Sequence, residues 1–264
     1  MRNGEMWCDY TLPNILTWAD SIHLDDYNII AFNINNTLVF GLPMEDLPER
    51  IDKINEKYNH PIFYAAEGQQ LSDFLKIFGD QYFLEEKPEY FDYIYKQANL
   101  ASLTGKKYSA KRNHISAFSR LFDWHYEAIS KNNIKDVLEC AEQWYSNKDC
   151  DKILMREKEV LPILLNNPQK YNVSGGAIIV NNKVVAYTYG APINDKIFDI
   201  CCEKALPDYS KAYAVINNEF AKQLTDFEYI NREDDLGIEG LRKAKMSYHP
   251  EFKVKKYFLY YKGV

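Results

Sequence analysis

Residues 175–193 read GGAIIVNNKVVAYTYGAPI. Two apolar, β-branched runs flank Asn181-Asn182, a dipeptide suited to a two-residue hairpin turn, so the stretch predicts a pair of antiparallel strands. Downstream, KIFDICCEKA (196–205) predicts a third strand, residues 210–225 a helix and FEYINRE (227–233) a short strand. GIEGLRKAKMSY (237–248) then predicts a helix and KYFLYY (256–261) a final strand. A helix over about 157–165 precedes the hairpin.

The first half follows the same plan. NIIAFNI (28–34) and NTLVFGL (36–42) read as a hairpin about Asn35-Asn36, and residues 47–58 as an amphipathic helix with Pro48 in its first turn. PIFYAAE (61–67) reads as a strand, GQQLSDFLKIFGD (68–80) as a helix, and residues 81–95 as a strand running into a turn. Helices over about 106–122 and 134–145 are joined by a strand or loop through 125–129. The expected fold class is therefore α/β (α+β), with two mixed, mostly antiparallel sheets flanked by helices. The expected boundary lies near residue 130, dividing 1–130 from 131–264.

Composition narrows the function classes. Hydrophobic residues make up 46% of the 264, enough for a packed core, and no apolar run reaches the roughly 18 residues of a membrane span. The opening MRNGEMWCDYTLPN lacks the continuous apolar stretch of a signal peptide, so a soluble, cytoplasmic chain is expected. Cysteines at 8, 140, 150, 201 and 202 form no CxxC and read as reduced thiols. Histidines at 23, 60, 114, 125 and 249 have no metal-ligand spacing, so no metal is expected.

The net charge is −6, yet residues 105–120 hold five basic residues and no acid, and 242–262 hold seven against Glu251. Taken singly, each run is a solvated face. Together they suggest an anion pocket within an acidic body. Lys111 shares the helical stripe of Tyr108, Ile115, Phe118 and Phe122, and Lys245 that of Ile238, Leu241 and Tyr248. A lysine on an apolar face either snorkels or lines a cavity, and both of these fall in the basic windows. Asp199, Cys201 and Glu203 alternate onto one side of their predicted strand, with Glu203 at its end. Asn231, Arg232, Glu233, Asp234 and Asp235 crowd the loop before a helix, where Asp235 suits a capping role.

Some chemistry is excluded by what is missing. The sequence contains no GxxxxGK[ST], GxGxxG or GxSxG. EKALPDYSKAY (203–213), where a CoA-dependent N-acetyltransferase carries its pyrophosphate loop, has no glycine to let backbone amides approach a phosphate.

Two stretches carry a resemblance. DYIYKQANLASLTGKKYSAKRNHISAF (92–118) and YINREDDLGIEGLRKAKMSYHPEF (229–252) resemble a bacterial family grouped with the C-terminal catalytic domain of phosphatidylglycerol lysyltransferases. The K-R-N-H and N-R-E-D-D-L-G runs carry it most specifically, and it extends over nearly the whole chain. Lys245, Tyr248, Pro250 and Phe252 look like the closing lysine–aromatic–proline–aromatic pattern of the lysyltransferases. The resemblance implies two tandem GNAT-like folds, as in Fem-type aminoacyltransferases. It also implies an acyl or aminoacyl donor, aminoacyl-tRNA in the characterised relatives, passed to a hydroxyl or amine. The lysyltransferases have a long membrane portion that this sequence lacks, and its basic surface for tRNA is modest.

On that reading Lys245 and Arg242 neutralise a phosphate, carboxylate or developing oxyanion, and Lys111, Arg112, Asn113 and His114 form the opposite wall of a cleft between the halves. Glu203, Glu233 and Asp235 hold an amino group or act as base, with Asn231 and Arg232 beside them. Tyr248 and Tyr213 offer hydroxyls or stacking faces. The substrate is small and anionic, and no tightly bound cofactor is required. Aminoacyl-tRNA or acyl-CoA is the donor. The alternatives are a non-catalytic sensor of an anionic metabolite, or acyl-CoA chemistry with the 203–211 loop around the pyrophosphate.

Overall fold

The computed structural model of the chain describes residues 6–17, 22–24, 30–34, 37–43, 46–148 and 152–263. The N-terminal elements are α1 (Leu12–Thr17), β1 (Ile22–Leu24), β2 (Ile30–Ile34), β3 (Thr37–Gly41), α2 (Leu47–Tyr58), β4 (Ile62–Ala66), α3 (Gln69–Phe78) and β5 (Tyr82–Glu86). Next come β6 (Asp92–Lys96), α4 (Gln97–Ser102), α5 (Ser109–Leu121), β7 (Trp124–Ala128), α6 (Ile134–Ser146), α7 (Lys152–Asn166) and α8 (Pro168–Tyr171). The remainder is β8 (Ser174–Val180), β9 (Lys183–Pro192), β10 (Ile197–Ala205), α9 (Ala212–Gln223), β11 (Tyr229–Asn231), α10 (Glu239–Met246), β12 (Phe252–Val254) and β13 (Lys256–Tyr261).

The fold class is the expected one, a mixed α/β chain with two sheets. One sheet runs β1-β2-β3-β4-β13-β5 and the other β12-β6-β11-β10-β9-β8-β7. Both are mostly antiparallel, with a parallel pair β3–β4 in the first and β10–β11 in the second. The 175–193 hairpin forms with Val180 opposite Lys183, and Asn181 and Asn182 both take positive φ, as that turn demands. The Asn35-Asn36 turn lies outside the described residues. Residues 81–95 make two strands rather than one with a turn, because Pro88 starts a 3-10 turn between β5 and β6.

The compact units are discontinuous. The larger holds Met1–Thr17, Tyr93–Glu233 and Lys243–Phe252, and the smaller Trp18–Asp92, Asp234–Arg242 and Lys253–Val264. This division differs from a single cut near residue 130, because β13 pairs with both β4 and β5 and so returns the end of the chain to the first sheet. In the smaller unit Phe40, Ile51, Ile54, Phe63, Phe74 and Leu259 form the buried centre. There the Lys256 ammonium lies 2.7 Å from the Asp92 carboxylate, both fully buried.

In the larger unit α6 and α7 cover one face of the sheet, packing Val137, Leu161 and Leu164 against Tyr187 and its neighbours. On the opposite face α5 and α9 pack through Phe118, Val215 and Ile216 against Ile178, Val185 and Ala186. The α5 stripe is realised as the spacing predicts: Tyr108 and Phe118 are buried, and Ile115, Phe122 and Lys111 half-buried. The stripe expected on α10 is not realised. Ile238 and Leu241 are exposed, and only Tyr248, beyond the helix, is buried.

Candidate functional site

The parallel pairing of β10 and β11 is brief. Ile197, Phe198 and Asp199 face Tyr229, Ile230 and Asn231, and β10 then continues to Ala205 without its parallel neighbour. The carboxyl ends of parallel strands are where α/β sheets open a crevice. There the Glu203 carboxylate accepts from Arg232 Nη2 at 2.9 Å through one oxygen, and from Asn217 Nδ2 of α9 at 3.0 Å through the other. The Arg232 and Glu203 side chains are only 12% and 10% exposed, a charge-assisted pair well withdrawn from water.

Aromatic rings and two lysines surround this pair. The Arg232 guanidinium lies 4.7 Å from the Tyr248 ring centroid and 5.8 Å from that of Tyr95. Lys111 places its ammonium 3.8 Å from the Tyr248 centroid. Burial pushes the Lys111 amine down to about 8, Arg232 pushes it the same way, and Glu203 opposes them. Lys245 donates from Nζ to the Arg232 carbonyl, and its own carbonyl accepts from the Tyr95 hydroxyl at 2.8 Å. Lys111 and Lys245, from the two basic windows, thus both reach the Arg232–Tyr248 neighbourhood of one compact unit.

Glu203 parts company with Asp199 and Cys201. The register of β10 on β9 shifts between Ile200 and Cys202, leaving Cys201 as the extra residue of a bulge. Strict alternation fails there, so Cys201 and Cys202 both pack on the α6–α7 side while Glu203 points to α9. Asp199 shares the α6–α7 side. It accepts from Asn14 Nδ2 at 3.2 Å, the Thr11 hydroxyl at 3.4 Å and the Cys201 thiol at 3.3 Å. Glu233, at positive φ, accepts from the same Asn14 amide at 3.0 Å, and its own N–H donates to Asn231 Oδ1 at 2.7 Å. Asn231 in turn donates to the Met6 carbonyl. Cys8, Asp199 and Glu233 each bring one ligand atom within 4.8 Å of the others, a set from three distant segments that spacing could not reveal.

Residues 9–260 match the model of the family described as phosphatidylglycerol lysyltransferase, C-terminal. The chain belongs to that family. A crystal structure of a conserved protein of unknown function from Bacteroides thetaiotaomicron is 33% identical, with a TM-score of 0.88 over 99% of this chain and 94% of that one. L-PGS from Bacillus licheniformis shares the fold at 14% identity, with a TM-score of 0.64 over 100% of this chain and 95% of that one. An uncharacterised Mycoplasmoides gallisepticum protein is 22% identical over 173 residues, 64% of this chain and 55% of that protein's length. The family makes this an acyl- or aminoacyltransferase-like protein. No helix among the described residues is long and apolar enough to cross a membrane.

Against this lysyltransferase-type fold the remaining candidates fall in several places. Arg242 belongs to the smaller unit and grips Asp235 with Nε and Nη2, both at 2.9 Å, while Asp235 Oδ1 also accepts from the Gly237 N–H. Asp235 thus closes the turn that precedes α10 through the N–H of Gly237, a residue ahead of the helix, and Arg242 serves the same turn. Arg112 turns back to the Leu103 and Gly105 carbonyls, closing the end of α4. Asn113 and His114 are exposed on α5, and partial desolvation of the His114 ring, with Lys111 and Lys211 nearby, holds its imidazole below the ordinary range. Tyr213 accepts a hydrogen bond from Trp144 Nε1 at 3.3 Å.

Asn217 and Tyr95 were not picked out by sequence. Asn217-Asn218, a polar pair directly after the apolar run Ala212–Ile216 of α9, is the signal that could have found the first. Tyr95 has no such mark in a tyrosine-rich chain. A second polar cluster lies under α6 and α7, where Lys204 meets Glu157 at 3.0 Å and Glu157 also accepts from the Tyr145 hydroxyl.

Proposed function

We propose that this chain moves an aminoacyl group from an ester donor, aminoacyl-tRNA by class, to a hydroxyl or amine acceptor at the Arg232–Glu203 site. The observation that carries the reading is the largely enclosed Arg232–Glu203 pair at the carboxyl end of β10, with Lys111 and Tyr248 near it. A fixed guanidinium in a dry setting stabilises the negative charge that develops on a carbonyl oxygen during acyl transfer. Glu203, with both oxygens engaged, orients Arg232 and Asn217 and is not free to act as base.

In the reaction the acceptor oxygen or nitrogen bonds to the ester carbonyl carbon and loses its proton. The bond from that carbon to the ribose oxygen breaks, and the ribose oxygen takes up a proton. Lys111, lowered to about 8, can occupy either protonation state near neutral pH, which suits it to supply that proton and recover one from the acceptor. The glycine-free turn between β10 and α9 supports an ester donor over CoA.

The test is deacylation of a labelled aminoacyl-tRNA pool, alone and with added hydroxyl and amine acceptors, beside consumption of acyl-CoA. The expected result is acceptor-dependent release of tRNA that Arg232→Met abolishes. Consumption of acyl-CoA with no effect on aminoacyl-tRNA would overturn the reading in favour of CoA chemistry.

A further inference from the structure

We propose that Asn217 is a specificity-determining residue whose side-chain carbonyl reads the free α-amino group of the aminoacyl donor while Arg232 Nη1 takes the donor's carbonyl oxygen. The inference rests on the aminoacyl-transfer reading above. Asn217 lies on α9 and is fully buried. A carboxylate only accepts hydrogen bonds, so the amide NH₂ must face Glu203, as its 3.0 Å contact records, and Oδ1 is turned elsewhere.

That oxygen is shut off from solvent and has no hydrogen-bond partner among the described residues; the same is true of Arg232 Nη1. Glu203 bridges the two side chains, so one open acceptor and one open donor flank a single carboxylate. Buried polar atoms are nearly always matched, and each unmatched one calls for an occupant. The occupant must present a donor to Asn217 and an acceptor to Arg232.

An α-aminoacyl ester does both, with its ammonium and its carbonyl oxygen on neighbouring carbons. An acetyl group offers the carbonyl alone and would leave Asn217 Oδ1 unmatched. Asparagine suits this position better than aspartate, because a second carboxylate beside Glu203 would repel it. Tyr248, whose ring centroid lies 4.7 Å from the Arg232 guanidinium, borders the same pair.

Calorimetric titration with non-hydrolysable 3′-aminoacylamino-adenosines carrying alanine or lysine, and with their α-N-acetyl twins, tests the proposal. For the wild-type chain the free-amine probe is expected to bind at least about tenfold more tightly than its twin. In Asn217→Ala the two should bind alike. Equal binding of the twins to wild type, or a preference that survives in Asn217→Ala, would overturn it. If Asn217→Ala melts below assay temperature, the wild-type comparison decides, together with a crystal structure of the probe complex. A single water joining Nη1 to Oδ1, with the probe elsewhere, refutes the inference. Transfer from aminoacyl-tRNA with no discrimination between twins removes only the role of Asn217, whereas no transfer and no probe binding removes the function itself.

Discussion

Lys111 holds its ammonium nitrogen 3.8 Å from the centroid of Tyr248, and the Arg232 guanidinium lies 4.7 Å from the same centroid. Burial first, and then repulsion from the Arg232 guanidinium that Glu203 only partly offsets, account for a lysine at about 8. An anion bound here favours the charged amine. Affinity for a carboxylate probe, itself fully ionised in this range, should therefore be constant from about pH 6 to 7 and fall as pH rises through 8. Lys111→Arg, which stays charged, should flatten the profile between pH 7 and 9. Calorimetric titration across that range checks it, and an unchanged slope in the variant would remove Lys111 from the site.

The same group sets a stability trend of definite sign. Between about 8 and its ordinary 10.5 the Lys111 amine carries more proton in the unfolded chain than in the folded one. Stability contributed by this residue therefore rises with pH across that window and is constant below it. Urea midpoints of wild type and Lys111→Met at pH 7.5 and 10 should differ most at the lower pH.

Removing Arg232 strands a carboxylate that is nine-tenths buried. Arg232→Met is expected to cost about 3–5 kcal/mol in urea unfolding, and Arg232→Met with Glu203→Met markedly less, since no unpaired charge remains. A double variant as unstable as the single one would mean that the loss comes from packing. The Lys256–Asp92 pair, fully buried in the smaller unit, should follow the same order.

Much of this was legible in the sequence because the signals were local. Asn181-Asn182 between β-branched runs and the residues 47–58 helix appear where periodicity puts them. Lys111 stands out on the face of α5 that Tyr108 and Phe118 bury, and its ammonium lies against the Tyr248 ring. What escaped was non-local. The partner of Arg242 could have been a substrate or a neighbour, and only the folded turn shows it to be Asp235. The return of β13 to the first sheet depends on tertiary pairing, which strand periodicity does not encode. The bulge was hidden for another reason: period-two alternation assumes one residue per register step, and Cys201 is one too many.

Burial raises the Cys140 thiol to about 12 and lifts Cys201 and Cys202 well above the ordinary range. The thiolate is the nucleophile, so all three should resist maleimide in the native chain at pH 8 and react fully in urea. Peptide mass spectrometry distinguishes them. Native labelling of Cys201 would show that the bulge region opens on the labelling timescale.

Gly190 decides whether β9 and β10 can lie this close beside the bulge. A Cβ built there would stand 1.9 Å from the Asp199 carbonyl oxygen, a backbone atom that cannot swing aside, and 2.7 Å from the Phe198 ring. Gly190→Ala must therefore push β10 away just before the bulge, at an overpacking cost of about 1–3 kcal/mol. The displacement acts on both faces, because Asp199 leads into the residues contacted by α1 and Glu203 follows four positions later on the α9 side. Loss of transfer beyond what the drop in folded population explains is the expected result, read from activity at a temperature where circular dichroism shows the variant folded. Full activity with a lowered melting temperature would show instead that the Glu203–Arg232 geometry does not depend on the register of these strands.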